Sequence, residues 1–234
     1  MWLVHIVQWA KHINLIRFGI TPKTATGLIG IITAPLVHAD WGHLASNSIP
    51  MLVSGGIICY FYPSIAQRAF AMIYVLTGLM VWLFAKNFTT HIGASGIVYG
   101  LVAFIAWLGI FRRSVKAIIL ALLVVVLYGG MLAGIAPNPD RPNISWESHL
   151  LGGLMGIFAA FYYKDLVEED ELPVPEAPPT PQKPFLPRDI FEKTIAERTK
   201  EREEQLGQIR AYYRQQEELR RQMLNPPPSN TDWT

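Results

Sequence analysis

The sequence predicts an all-α protein that crosses a membrane several times, and three observations support this prediction. Hydrophobic residues make up 51% of the 234 residues, and the mean hydropathy is +0.25, which is high for a soluble domain. Several apolar runs are long enough to cross a bilayer. Acidic residues are almost absent from these runs. Of the 18 acidic residues, only Asp40, Asp140 and Glu147 precede Lys164, so the other 15 lie in the last 71 residues.

Five runs have the length and apolarity of a membrane-spanning helix, which needs roughly 20 mostly apolar residues. Aromatic residues stand near one or both ends of each run, as they do at membrane interfaces. The five predicted spans are residues 43–62, 69–85, 95–111, 117–135 and 146–163.

The first ten residues are apolar but too short to cross a bilayer as a straight helix. They contain His5 and Gln8, and the basic residues Lys11, His12 and Arg17 follow. This segment is predicted to be a short, tilted first helix, unless the natural chain begins further upstream.

The short loops predict the orientation of the spans. Residues 111–116, Phe-Arg-Arg-Ser-Val-Lys, form the most basic short connection, and Arg68 lies in a loop on the same side. Basic loops face the cytoplasm. The spans that begin near residues 43, 95 and 146 should therefore run inwards from the opposite side, and the tail after Tyr163 should be cytoplasmic.

The sequence divides into three parts. Residues 1–163 form the predicted membrane domain, and residues 164–187 form an acidic, proline-rich linker that should be extended. Residues 188–234 contain a charged segment with helical periodicity, followed by an end that is predicted to be disordered. The simplest interpretation of this segment is a solvated helix with ion pairs between its own side chains. Binding of a partner and self-association are the alternatives.

The composition excludes several kinds of site. The net charge of +2 sums a basic membrane part and an acidic tail, and it gives no indication of nucleic-acid binding. The single cysteine, Cys59, cannot form an intramolecular disulfide or a cysteine-based metal cluster. No metal and no cofactor is expected.

Three polar clusters open three of the predicted spans. They contain His43 and Asn47, then Ser95, then His149. Because these three spans are predicted to be parallel, the four side chains should lie at one depth near the non-cytoplasmic surface. Polar groups inside a bilayer are costly and mark functional sites. A serine, a histidine and two further donors at one depth are the parts of an acyl-transfer site.

A serine hydroxyl becomes a nucleophile when a nearby imidazole takes its proton. His149 can do this for Ser95 if their helices touch, and pairs of glycines four residues apart allow close approach of membrane helices. Tyr99, one turn after Ser95, should then stack on the imidazole. Glu147 points elsewhere on its helix, so the site should be a dyad without a carboxylate. The glycine pairs are Gly96 with Gly100 and Gly152 with Gly156.

A tetrahedral oxyanion needs hydrogen-bond donors. The backbone N–H of Ser95 stands at a helix N-terminus, where amides are free and negative charge is favoured. His43 and Asn47, one turn apart on a parallel helix, can add side-chain donors. Asp40 is predicted to cap the helix that begins near Trp41.

Together these motifs resemble those of the rhomboid intramembrane serine proteases. The resemblance covers roughly residues 19–163 and rests on Gly-x-Ser-Gly at 93–96, Tyr99, His-x-x-Gly-x-x-x-Gly at 149–156, and His38, His43 and Asn47 upstream. It implies a six-helix bundle that cuts single-span membrane proteins near the membrane surface. It also implies a Ser95–His149 dyad, an oxyanion hole of His43, Asn47 and the Ser95 amide, and supporting roles for His38, Tyr99 and the four glycines Gly93, Gly96, Gly152 and Gly156. If the source is bacterial, the inner membrane is the expected location.

Other interpretations remain open at the level of sequence. Ser95 taken alone is a typical small packing residue between membrane helices, and His38 is either a loop residue or a structural support. A catalytically inactive relative that binds or escorts membrane clients is the main alternative. A transporter or channel is disfavoured because the spans carry no paired carboxylates and no repeated interruptions.

Overall fold

The computed structural model describes residues 1–139, 145–166, 168 and 193–224. Its chain forms two compact units, Met1–Leu166 and Val167–Thr234. Within the described residues there are eight α-helices and no β-strand, so the predicted all-α class is confirmed. The α-helices are α1 (Trp2–Ala10), α2 (Gly27–Thr33), α3 (Trp41–Phe61), α4 (Ala66–Phe84), α5 (Ser95–Arg112), α6 (Val115–Tyr128), α7 (Trp146–Tyr163) and α8 (Ile195–Leu224).

Four helical segments are long and apolar enough to cross a membrane: α3, α4, α5 and Val115–Ile135. The bounds of α3, α4 and α5 differ from the predicted spans by at most three residues. The protein is therefore a multi-pass integral membrane protein. The fifth predicted span, α7, has 18 residues but is not among these four, because its first turn is polar and it contains several glycines.

The helix predicted over residues 117–135 is not a single α-helix. α6 ends at Tyr128, and Gly129–Ile135 continue as a 3₁₀ helix, which we call the 3₁₀ segment. Two consecutive glycines, Gly129 and Gly130, stand at the change, and glycine is a weak former of α-helix. The tighter 3₁₀ winding turns backbone carbonyls towards α5 and α7, where the site lies.

α5 is the central helix of the first unit. Half of it is buried, whereas only 11% of the α6 span is buried. Phe104, Ile105 and Leu108 of α5 have no exposed surface and pack in a core with Ile73 of α4 and Ala159 of α7. α6 therefore lies at the periphery, and most of its side chains are exposed.

The first helix is short, as the sequence predicts: α1 has nine residues and is roughly 14 Å long. One of its faces packs on the start of α3. The Trp2 indole N–H donates to Ser48 Oγ at 3.0 Å, and the ring of buried His5 meets Trp41 edge-on at 4.5 Å. α1 thus supports α3 near the end that carries His43.

The long connection before α3 is fixed at several points. Tyr74 of α4 donates to the Ile32 carbonyl at 2.5 Å, and the Trp82 indole donates to the Thr24 carbonyl at 2.8 Å. Ile20 forms an isolated antiparallel bridge with His91. The first two contacts attach the connection to α4, and the third attaches it to the loop that leads into α5.

The second unit contains α8, the charged helix predicted in the tail. It begins at Ile195 with a capping box, in which Thr194 N–H donates to Glu197 and Glu197 N–H donates to Thr194 Oγ1. The predicted start at residue 188, most of the linker and the end at 225–234 lie outside the described residues.

Candidate active site

Ser95 and His149 form a direct hydrogen bond. The distance from His149 Nε2 to Ser95 Oγ is 2.9 Å. Ser95 is the first residue of α5, and His149 is the fourth of α7, so both stand at the same end of two adjacent helices. His149 is 8% exposed. The pair is thus enclosed between helices but adjoins a cavity.

Glycines bring the two helices to this distance. A Cβ added to Gly152 would overlap the carbonyl oxygen of Gly96, and one added to Gly156 would overlap that of Gly100. The backbones of α5 and α7 are therefore in contact over more than one turn. This is the small-residue packing that lets membrane helices approach closely, and it puts the imidazole within reach of the serine.

The 3₁₀ segment orients the imidazole. His149 Nδ1 is 2.9 Å from the Gly134 carbonyl oxygen. Because a carbonyl can only accept, Nδ1 carries the proton and Nε2 presents its lone pair to Ser95, a tautomer assigned from the hydrogen bonds. A backbone carbonyl therefore occupies the place that a carboxylate holds in a Ser-His-Asp triad.

Tyr99 forms the side wall for His149. The two rings are stacked, with centroids 4.2 Å apart and planes 8° apart. The Tyr99 hydroxyl donates to the Met131 carbonyl at 2.6 Å, so the 3₁₀ segment holds both rings. A Cβ on Gly134 would overlap the Tyr99 hydroxyl, which explains why a glycine is needed there.

His43 and Asn47 point at the turn before Ser95. A Cβ added to Gly93 would lie 2.6 Å from His43 Nε2 and 3.3 Å from Asn47 Nδ2, and Gly93 itself has φ +93°. Both the left-handed backbone and the lack of space require glycine at this position. The two side chains and the first turn of α5 therefore converge on one point of the cavity.

Asn47 is only 5% exposed, and its Nδ2 has no hydrogen-bond acceptor among the described groups. A buried donor without a partner costs roughly 1–3 kcal/mol. Such groups are rare and often serve a function. Asn47 lines the cavity, so its Nδ2 can donate a hydrogen bond to an atom there.

The capping prediction for Asp40 is confirmed. α3 begins at Trp41, and Asp40 Oδ1 accepts a hydrogen bond from His43 N–H at 2.8 Å. The cap fixes the first turn of α3 and with it the backbone of His43.

His38 lies next to His43 rather than next to the Ser95–His149 pair. The two imidazoles are 5.0 Å apart and meet edge-on, and His38 is 1% exposed. Burial, and secondarily the proximity of His43, lower the pKa of His38 to about 4. His38 is therefore neutral at pH 7 and supports the His43 ring by packing.

His91 is a residue of the site that sequence reasoning missed. It is 5% exposed, and its Nδ1 is bonded to Ser145 Oγ and lies 3.1 Å from Ser148 Oγ. Thr89 Oγ1 lies 3.0 Å from Nε2. Burial lowers the pKa of His91. The imidazole ties the loop before α5 to the first turn of α7, next to His149. The only signal in the sequence was its place four residues before Ser95.

These residues surround a cavity of about 950 Å³. Ser95, His149, His43 and Asn47 line it, and Met131 of the 3₁₀ segment lies on another wall. The cavity is large enough to hold an extended peptide segment and water. Among the described residues, no group of three or more His, Cys, Asp or Glu could hold a metal ion.

Comparison with known proteins identifies the family. Residues 25–165 match the Rhomboid domain family, and the chain belongs to the rhomboid family, which confirms the resemblance found in the sequence. Similar proteins of Mycobacterium tuberculosis (strain H37Rv) and Mycobacterium bovis, both described as uncharacterized, are 38% identical over 167 residues, which is 69% of this chain and 70% of theirs. An uncharacterized protein of Mycobacterium leprae is 35% identical over 167 residues, 69% of this chain and 66% of that protein. No solved structure matches significantly.

Proposed function

We propose that this protein is an intramembrane serine endopeptidase that cleaves transmembrane-segment substrates near the non-cytoplasmic surface through a Ser95–His149 dyad. The observation that carries the proposal is the 2.9 Å bond from Ser95 Oγ to an imidazole whose other nitrogen is held by a carbonyl. A serine that served only for packing would not need an oriented base. Membership in a family of intramembrane serine proteases agrees with this chemistry.

In the first step, Ser95 Oγ attacks the carbonyl carbon of the scissile peptide bond while its proton passes to His149 Nε2. The carbonyl oxygen becomes an oxyanion. Donors for it are Asn47 Nδ2, the His43 imidazole and the Ser95 N–H, which stands in the first turn of α5 where amides lack intrahelical partners.

In the second step, the C–N bond breaks and His149 gives its proton to the leaving amine. An acyl group then remains on Ser95 Oγ. Water from the cavity attacks this ester, again with His149 as the base, and the free serine is restored. Tyr99 and the Gly134 carbonyl keep the imidazole in place through both steps.

The membrane setting indicates the class of substrate. The dyad lies at the ends of two membrane-embedded helices beside a cavity, so a single-span protein can present a peptide bond near the end of its own helix. Small residues and helix-breaking stretches, which the family resemblance implies, would expose that bond to the serine.

The proposal is tested with the full chain in vesicles and a single-span reporter. Ser95→Ala and His149→Ala should each reduce cleavage by roughly 10³-fold or more, and the double variant should be no worse, because the two residues act as one unit. Ser54→Ala, which removes a buried serine of α3, should retain cleavage. A serine-directed fluorophosphonate should label the wild type and Ser54→Ala but not Ser95→Ala.

Cleavage by Ser95→Ala at the wild-type rate would refute the dyad. The alternative, an inactive relative that binds or escorts membrane clients, would follow if the wild type never cleaves, never reacts with the fluorophosphonate, and still binds single-span proteins.

A further inference from the structure

A second cavity, of about 650 Å³, lies between α5, α6 and α7. We call it the α5–α7 groove. It is lined almost entirely by apolar side chains, and α6 on its outer wall faces the lipid. Representative lining residues are Val102 and Ala106 of α5, Leu122 and Val125 of α6, and Gly153 and Ile157 of α7.

One end of the groove carries an exposed basic residue. Arg113, which directly follows α5 and lines the groove, has the left-handed φ of 54° and is exposed. Its neighbours are engaged, since Arg112 donates to the Tyr163 carbonyl at 3.2 Å and Lys116 donates to the Phe61 carbonyl at 3.3 Å. The Arg113 backbone N–H donates to the Gly109 carbonyl at 3.2 Å, but its guanidinium makes no hydrogen bond or ion pair within the part of the chain that the structure describes. Among the described residues, Arg113 is also the only Lys, Arg, Asp or Glu that lines the groove.

The other end of the groove reaches the catalytic site. Tyr99, His149, Tyr128 and Met131 line both cavities. The two cavities therefore share His149 itself and Met131 of the 3₁₀ segment, whose carbonyls hold Tyr99 and His149. A molecule bound in the groove therefore packs against residues that hold the Ser95–His149 dyad in place.

The length and the lining of the groove indicate its occupant. From Tyr99 to Arg113 the α5 wall is roughly 21 Å long, and the lining is almost entirely apolar. A single acyl chain from one leaflet spans half of the roughly 30 Å hydrocarbon core, about 15 Å. With its glycerol and phosphate beside Arg113, such a lipid extends along the groove towards the 3₁₀ segment. An apolar chain joined to an anionic headgroup matches both the lining and the Arg113 guanidinium.

We propose that the α5–α7 groove binds one acyl chain of an anionic phospholipid, with the lipid phosphate on Arg113. A guanidinium matches a phosphate in charge and in hydrogen-bond geometry. The bound chain fills the space beside the 3₁₀ segment and stabilises the positions of Gly134 and Met131. The lipid therefore acts as a resident activator of the dyad. Binding of the lipid does not depend on the proposed protease function, whereas the effect of the lipid on cleavage rests on that function.

Binding is measured by native mass spectrometry of the full chain with phosphatidylglycerol or phosphatidylcholine. The wild type should retain one phosphatidylglycerol more strongly than phosphatidylcholine. Arg113→Gln should weaken the retention of phosphatidylglycerol about 5-fold, the effect of one basic residue near an anionic headgroup. Arg68→Gln, which removes the same charge at the same end of the bundle but outside the groove, should not.

A second pair of variants tests the groove itself. Gly153 and Gly55 are both half-buried glycines of membrane helices, and a Cβ added to either meets nothing within 4 Å. Only Gly153 lines the groove. Gly153→Leu should therefore displace the lipid and abolish the activation of reporter cleavage by phosphatidylglycerol, whereas Gly55→Leu should change neither.

Equal lipid retention by Gly153→Leu and Gly55→Leu, or no difference between Arg113→Gln and Arg68→Gln, would overturn the proposal. The binding measurement can be repeated on Ser95→Ala, which should bind lipid like the wild type. If the protein binds the lipid but never cleaves a reporter, the protease proposal fails and the lipid site stands.

Discussion

At the scale of single residues, the site contains a donor that lacks an acceptor. Asn47 Nδ2 is buried and unbonded among the described groups, and it lies beside Gly93 and close to the start of α5. A buried donor without an acceptor lowers the stability of the folded protein, and an oxyanion formed at Ser95 would accept its hydrogen bond. The unpaired amide is therefore better explained by the transition state than by the resting protein.

Asn47→Ala is expected to lower kcat by roughly 10²-fold to 10³-fold, the typical effect of removing one oxyanion donor, and so less than Ser95→Ala. KM should change little, because the donor acts mainly in the transition state. Ser54→Ala is the matched control, since Ser54 is a buried polar residue two turns further along α3 that does not line the cavity. Steady-state cleavage of the reporter gives both constants. An unchanged kcat for Asn47→Ala would remove Asn47 from the oxyanion hole.

His91 is expected to be a positioning residue for His149. His91→Ala removes the link to Ser145 and Ser148 and should lower kcat by about 10-fold to 10²-fold, the range in which small misplacements act, with KM little changed. His91→Asn keeps a hydrogen-bonding group near the position of Nδ1 and should restore much of the loss. The rate of fluorophosphonate labelling should follow kcat.

A purely structural role for His91 would give a different pattern. Both variants would then lower the thermal denaturation temperature in parallel with activity, and His91→Asn would not recover kcat selectively.

At the scale of elements, the contact between α5 and α7 sets the distance across the dyad. Gly152 faces the backbone of Gly96, whereas its neighbour Gly153 has open space around it. Two adjacent glycines of one helix thus have opposite environments, and this offers a matched comparison.

Gly152→Ala should destabilise the protein by about 1–3 kcal/mol, since backbone atoms must move apart to admit the methyl group, and should strongly reduce cleavage because Ser95 and His149 separate. Gly153→Ala should retain activity and stability. Thermal denaturation and reporter cleavage measure the two effects. Equal behaviour of the two variants would show that the close helix contact does not control the dyad.

The 3₁₀ segment is the element that the sequence describes least well. Hydropathy alone predicts one continuous span over residues 117–135, and hydropathy carries no information on how the backbone winds. The glycines of the segment permit the change from α-helix to 3₁₀ helix. Only the contacts of the segment with α5 and α7 show that this change brings carbonyls to the site. Gly134 and Met131 contribute backbone carbonyls to the site. Every residue has a backbone carbonyl, so the sequence cannot show which of them do so.

At the scale of the whole molecule, the orientation in the membrane is a prediction from loop charge. The loop around Val115 should face the cytoplasm and the connection around Phe88 the opposite side. Both side chains are well exposed, at 76% and 100%, and Cys59 is the single native cysteine. Cysteine substitutions at these two positions can therefore report the sidedness.

In a Cys59→Ser background, a membrane-impermeant maleimide added to intact cells should label the Phe88→Cys variant. The Val115→Cys variant should react only after the membrane is permeabilised. The reverse pattern would invert the orientation and place the Ser95–His149 pair near the cytoplasmic surface.

The class of the fold, the approximate bounds of the membrane helices and the candidate residues of the site can be predicted from the sequence alone. These properties follow from local composition: apolar length defines a span, and a polar group within a span is too costly to be there by chance. Four polar residues could be selected in this way because each lies in the first turns of an apolar run: Ser95, His149, His43 and Asn47.

Properties that depend on the distance between residues are seen only in the tertiary structure. It put Ser95 Oγ 2.9 Å from His149 Nε2, left Asn47 without an acceptor among the described groups, and brought His91 to the first turn of α7. It also showed that a backbone carbonyl, rather than a side chain, orients the base. Such relations join residues more than 40 positions apart, or involve main-chain atoms that every residue has, so no local pattern in the sequence can contain them.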